Sequence, residues 1–309
     1  MAFQSLAPAV PPQAPPQRAR HGFVKRHPIL AYYALTFAIS WGALAVLIAG
    51  WTGIMPAEQL ATSLRPVIFL ITIAGPALAG LVLTGLVDGR NGYRGFVARL
   101  RRWRVGGGWW AFAVLTGPLV FTLAVLLVGA AFATGLPAII STQDKLSMML
   151  LALAVGVVVA ACEETGWTGF AIPKFRLRIG VLGTGLMVGI LWGAWHMPSQ
   201  LWGSGDAAGA FRPYLFLGET VFAMAVLPAY RILMVWVYEH TQSLLVAVFM
   251  HAVLIMSLVA IMPAGISDVG YLTCCLAVAI GIWLTVAAVG VLTHGHLTRA
   301  RSAIAEAFP

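Results

Sequence analysis

Five ionisable side chains lie inside otherwise apolar stretches of this chain: Glu163, Glu164, His196, Glu219 and His251, with Arg231 and Glu239 near the edge of one such stretch. A charged group at the centre of a bilayer costs on the order of 3 kcal/mol on insertion scales. Such groups are therefore expected to meet one another or to line a wet cavity, not to face lipid. Glu163 and Glu164 are neighbours, and adjacent side chains on a helix point about 100° apart. One carboxylate can thus address a cavity while the other pairs with a neighbouring helix or is held as a buried structural group. A carboxylate facing a cavity suits a general base acting on water. His196 shares a helical face with Trp192, four residues earlier, and Pro198 is expected to bend or end that helix. His251 shares a face with Ser243 and Ala247, whose small side chains leave room beside the imidazole. Taken alone, each histidine reads more readily as a satisfied core residue. Three separate apolar runs, each bringing one such group, favour a shared site.

Two chemistries fit one Glu and two His. In the first, Glu163 activates water while the imidazoles move protons or stabilise an oxyanion. In the second, Glu163, His196 and His251 ligate a divalent metal such as zinc, which lowers the pKa of bound water. The zinc-protease signature of two His four apart around a Glu is absent. No Ser-His-Asp set is evident, since aspartates occur only in predicted loops. Trp167 and Trp192 are candidate supporting residues. Glu219 is a candidate cavity-lining group, and Arg231 a candidate counter-charge.

The runs that carry these residues must be membrane helices. Of 309 residues, 60% are hydrophobic and 9% charged, and the mean hydropathy is +0.90. A soluble chain carries about a quarter charged residues, so the outside of this one is expected to face lipid. The formal charge of +9 punctuates apolar runs instead of forming one stripe, which argues against nucleic acid and for membrane topology. Cys162, Cys274 and Cys275 sit in apolar runs without metal-ligand spacing and read as small buried side chains.

Residues 1–28 form a Pro/Gln/Ala-rich basic leader, expected to be a disordered cytoplasmic tail. Eight apolar runs follow, at about 29–49, 66–87, 109–134, 146–171, 180–202, 214–237, 242–262 and 270–293, with a second tail over 294–309. Each is long enough at ~1.5 Å per residue to cross a ~30 Å hydrocarbon core. The expected fold is an all-α polytopic integral membrane protein of about eight spans. With eight spans, 16 of the 19 Lys and Arg residues fall on one side, which predicts cytoplasmic termini in a multi-pass cell-membrane protein. Tyr93–Arg104, with its interleaved arginines and apolar residues, reads as a short amphipathic helix at the headgroups or as a solvated basic loop. Gly185, Gly189 and Gly193 share one face and predict close approach of another helix. By residue count, His196 lies deeper from the cytoplasmic edge than Glu163 or His251.

At these residues the sequence resembles the CAAX protease and bacteriocin-processing (CPBP, or Abi) family of intramembrane proteases, mainly over 146–262. Its members typically carry Glu-Glu-x-x-x-Arg, an aromatic-x-x-x-His and His-x-x-x-Asn. Glu163-Glu164 matches the first pair, Trp192 to His196 the second motif, and His251 opens the third. The stretch from Arg231 to Tyr238, followed by Ser243-Leu-Leu-Val-Ala, also resembles the family's run into the last motif. The resemblance implies hydrolysis of a peptide bond near the membrane–cytosol boundary. Glu163 and His196 would activate water, Glu164 would belong to the same site, and His251 would stabilise the oxyanion. The implied substrates are prenylated CAAX-type or other membrane-associated peptides. Two positions depart from the pattern. Thr168 stands where the family has Arg, removing a charge that Arg231 or Arg176 could replace, and Ile255 stands where it has Asn, removing an amide on His251's own face. A catalytically weak or inactive homologue acting as an immunity, scaffold or regulatory factor is the alternative these departures raise. A proton-relay transporter is a third reading, but no repeat relates residues 29–150 to 151–293, as related halves would.

Overall fold

The computed structural model describes residues 22–51, 65–132, 135–205 and 210–297. In chain order the helices are α1 (Phe23–Arg26), α2 (Pro28–Trp51), α3 (Arg65–Leu100), α4 (Gly107–Phe132), α5 (Ala138–Ser141), α6 (Lys145–Gly166), α7 (Ile172–Arg176), α8 (Val181–Gly203), α9 (Pro213–Val221), α10 (Leu227–Thr241), α11 (Leu244–Ile261) and α12 (Asp268–Leu292). A π-helical turn, Trp167–Ala171, joins α6 to α7, and a second, Phe222–Val226, joins α9 to α10. Polar N-caps mark the starts: Asp144 accepts from the Ser147 amide at α6, Ser243 from Val246 at α11, and Ser267 from Gly270 at α12. Each satisfies one of the orphan amides of a first turn.

The expected all-α membrane architecture is what the helices form. Seven stretches are long and apolar enough to cross a bilayer: Pro28–Val46, Val67–Val87, Gly107–Phe132, Lys145–Arg176, Pro213–Thr241, Leu244–Ile261 and Asp268–Leu292. This is one fewer than the eight runs of the sequence reading. The missing run forms α8, 23 residues long, but its glycines, tryptophans, His196, Ser199 and Gln200 make it less apolar than a lipid-facing span. Its inner face is buried, while Leu182, Leu186, Met187 and Ile190 are exposed. Residues 1–21 and 298–309 of the two expected tails lie outside the described residues; within the leader, Phe23–Arg26 is helical.

Helix α6 packs along α11, α8 along α10, and α2 along α3, which itself packs against α6. The glycine stripe of α8 explains its closeness to α10. A Cβ on Gly185 would strike the backbone of Ile232, one on Gly189 would strike Pro228, and one on Gly193 the Ala223 carbonyl oxygen in the second π-turn. Helix α3 changes direction at Gly89, whose φ of 63° and ψ of −147° suit only glycine. The chain beyond it, residues 90–100, is helical, so the basic segment takes the helical alternative of the sequence reading up to Leu100. Cys162, Cys274 and Cys275 are free thiols.

Gly193→Ala is expected to destabilise the protein by about 1–3 kcal/mol through overpacking against the π-turn. Gly183→Ala, on the exposed side of the same helix where a Cβ meets only ordinary contacts, should be neutral or mildly stabilising. Thermal unfolding of the two variants in detergent checks the contrast.

Candidate active site

The late turns of α6 carry Glu163 and Glu164, both buried, and their side chains diverge as adjacent helical positions must. Glu163 lines a cavity of about 720 Å³, and Glu164 turns into the bundle. The Glu163 Oε2 atom accepts hydrogen bonds from the indole of Trp192 on α8 (2.6 Å) and from that of Trp167 (3.2 Å). Its Oε1 takes no hydrogen bond from any described residue.

Glu164 is the hub of a buried network. Its Oε2 accepts from Arg231 Nη1 of α10 at 2.8 Å and from the Thr168 hydroxyl, while its Oε1 meets His251 Nδ1 of α11 at 2.8 Å. Both Glu164 and Arg231 are fully buried. Taking the two charges out of lipid-side isolation requires that each find the other, because an uncompensated buried charge costs several kcal/mol. The Arg231 guanidinium also lies over the Trp192 ring, 4.0 Å from its centroid, an arrangement favourable for a desolvated cation. Arg231 thus supplies the positive charge that Thr168 does not, and the Thr168 hydroxyl adds a neutral donor to the same carboxylate. Arg176, the other candidate replacement, is engaged elsewhere, with Glu239 at 2.8 Å.

The histidines are oriented by their Nδ1 atoms. His196 Nδ1 lies 2.9 Å from the Trp192 carbonyl. Since a carbonyl only accepts, the neutral ring carries its proton on Nδ1 and leaves Nε2 as a base. His251 Nδ1 faces the Glu164 carboxylate, which holds that tautomer in the same way. The His251 ring meets Trp192 edge to face with centroids 4.8 Å apart, and His196 meets Trp195 at 4.7 Å. Trp192 therefore touches four members of the site: it donates to Glu163, underlies Arg231 and packs on both imidazoles.

Glu163, His196, His251, Glu219, Trp192 and Ile255 all line the cavity. Glu164, Arg231 and Trp167 stand behind its wall. Helix α8 begins at Val181, close to its expected start, and the cavity follows it from Trp192 to Gly203. Glu219 accepts a hydrogen bond from Tyr271 of α12 at 2.7 Å. The roles of Trp167 and Thr168 as donors were not read from the sequence. Their signal was present, since each stands four residues after the carboxylate it serves. Among the described residues no three His, Cys, Asp or Glu side chains form a group that could hold a metal ion. Glu163 gives one oxygen to two indoles, and each imidazole gives one nitrogen to the protein.

The fold and site define an all-α polytopic membrane protein with a carboxylate–imidazole cavity between its helices. Residues 145–257 match the family model for type II CAAX prenyl endopeptidase Rce1-like proteins. Over 112 residues the chain is 27% identical to CAAX prenyl protease 2 of Methanococcus maripaludis, a stretch covering 36% of this chain and 39% of that protein. The matched segment contains Glu163, Glu164, His196, Arg231 and His251, the residues on which the resemblance to the CAAX protease and bacteriocin-processing family rests.

Arg231→Met is expected to destabilise the protein by roughly 3–5 kcal/mol, because Glu164 is left as an uncompensated buried charge. Adding Glu164→Gln should recover a large part of the loss. Thermal unfolding of both single variants and the double variant gives the coupling directly; independent, additive losses would contradict it.

Proposed function

We propose that this protein is an intramembrane endopeptidase in which Glu163 activates the attacking water. Water adds to the scissile carbonyl carbon as its proton passes to Glu163 Oε1, with His196 Nε2 sharing the proton transfer. The oxyanion forms beside the His251 imidazole, which Glu164 orients and Arg231 and Thr168 hold through Glu164. The C–N bond then breaks as the proton goes to the leaving nitrogen. The observation that carries this reading is convergence: Glu163, His196 and His251, from three helices, line one cavity while their remaining polar atoms are bound by the protein. The cavity walls include Leu44, Phe69, Ile73, Val155 and Leu258. Such a lining suits a substrate with an apolar chain, and prenylated CAAX-type peptides are the class we propose. The bias of basic residues supports a site opening toward the cytosol from a multi-pass protein of the cell membrane. Zinc held by Glu163, His196 and His251 is the alternative scheme; the arrangement of donors favours the metal-free one.

One observation favours the second reading, a catalytically weak homologue with an immunity, scaffold or regulatory role. Ile255 lines the cavity one turn from His251, where the family pattern has an amide donor. Removing one oxyanion donor lowers rates by about 10²–10³.

Purified protein in nanodiscs, incubated with a peptide library that includes farnesylated peptides ending in a CAAX sequence, is expected to show cleavage. Glu163→Gln should lower it by about 10²–10⁴, as loss of a general base does. Ile255→Asn should raise kcat, by up to about 10² if the amide reaches the oxyanion. Absence of cleavage by the wild type and by Ile255→Asn across the library favours the second reading. Stoichiometric metal in the preparation that is lost on His196→Ala would sink the metal-free scheme.

A further inference from the structure

The basic segment 90–104 braces three of the elements that build the site. Its inner face is formed by Gly92, Phe96 and Arg99, spaced as one side of a helix, while Tyr93, Arg94, Val97 and Leu100 are exposed. Every nitrogen of the Arg99 guanidinium is engaged: Nε donates to the Gly95 carbonyl (3.2 Å), Nη1 to the Tyr238 hydroxyl of α10 (2.9 Å) and Nη2 to the Gly169 carbonyl (2.8 Å). Gly169 belongs to the π-turn whose Trp167 and Thr168 donate to Glu163 and Glu164. Phe96 lies against Gly169, leaving no room for a Cβ there. Further on, the Ser243 hydroxyl that caps α11 donates to the Arg102 carbonyl at 2.5 Å, and His251 is two turns into that helix. One short segment thus holds the turn under the carboxylates, the helix of Arg231 and the start of the helix of His251.

The outer side of this brace has the chemistry of a headgroup surface. Arg94, Arg101, Arg102 and Arg104 are exposed, interleaved with exposed Val97, Leu100 and Trp103, the mixture that settles at the boundary of an anionic bilayer. Behind the brace, a cavity of about 370 Å³ is lined by charges that already have partners, Lys174 with Asp88 (2.6 Å) and Arg176 with Glu239 (2.8 Å). No described carboxylate pairs with Arg94, Arg101, Arg102 or Arg104, so the uncompensated positive charge of this region faces outward.

We propose that segment 90–104 binds anionic phospholipid headgroups through Arg94, Arg101, Arg102 and Arg104, and that Arg99 transmits this contact to the π-turn holding Glu163 and Glu164. Arg99 is a positioning residue, acting through Gly169. The effect on turnover rests on the protease reading above; headgroup binding and its transmission do not.

Full-length protein in detergent is expected to gain thermal stability on addition of phosphatidylglycerol but not of phosphatidylcholine, and to lose the gain at high salt. The variant R94Q/R101Q/R102Q/R104Q should lose it as well. An equal rise in that variant, or none in the wild type, overturns the proposal. Amide hydrogen exchange over residues 165–171 should slow with phosphatidylglycerol in the wild type but not in Arg99→Gln, with Arg99→Lys restoring part of the response; an equal slowing in Arg99→Gln overturns the transmission. In nanodiscs, phosphatidylglycerol should raise kcat about fivefold or more with KM little changed, and Arg99→Gln should abolish that gain. A wild type that cleaves nothing in either bilayer counts against the protease reading, while the stability and exchange measurements still decide this one.

Discussion

A guanidinium and a carboxylate, both fully buried in a bundle meant for hydrocarbon, set the terms for the rest of this structure. Neither Glu164 nor Arg231 can be tolerated there alone, and their attraction is strong because no water screens it. Satisfying the pair fixes α6 against α10. The second oxygen of Glu164 then fixes α11 through His251, so one carboxylate locks three helices in register. The same ion pair leaves Glu163 free of any charged partner, bound only by two indoles. The two neighbouring glutamates therefore divide into an anion paired inside the bundle and one that faces the cavity.

Close approach of helices makes this division feasible. The glycine face of α8 lets it lie on α10 without intervening side chains, and Trp192 projects from that contact into the centre of the site. An indole is well suited to the position. Its N–H satisfies a carboxylate, its face accepts a cation and its edges pack on imidazoles.

Much of this organisation was legible in the sequence because bilayers penalise polar groups so heavily. Glu163, Glu164, His196, Glu219 and His251 stood out against apolar runs, and run boundaries fell within a few residues of the helices, as for 29–49 against Pro28–Trp51. That the side chains of Glu163 and Glu164 would point apart followed from the 100° step; which of them faces the cavity did not. What could not be read was pairing across distance. Whether Arg231 or Arg176 met the glutamates depended on the approach of α6 and α10, and spacing along the chain says nothing about it. Seven of the eight expected runs are apolar enough to cross a bilayer by composition, and α8 has the length of the eighth while its composition reflects the cavity on its inner side. Arg99 resembled its neighbouring arginines in sequence and differs from them only by facing inward.

The π-turn at Trp167–Ala171 also bears on how this protein can change over evolutionary time. A turn closed by i→i+5 bonds holds more residues than the α-helical turn it replaces. Losing a residue there would return the stretch toward α-helix and leave the regular helix before it, with Glu163 and Glu164, in its own register. Losing a residue earlier in α6 would rotate the carboxylates by about 100° and break every bond that they make. Within the span from Lys145 to Arg176, the glutamates therefore keep their register through a change of length at the π-turn, at the expense of the Arg99 contact to Gly169, and lose it through one earlier in α6.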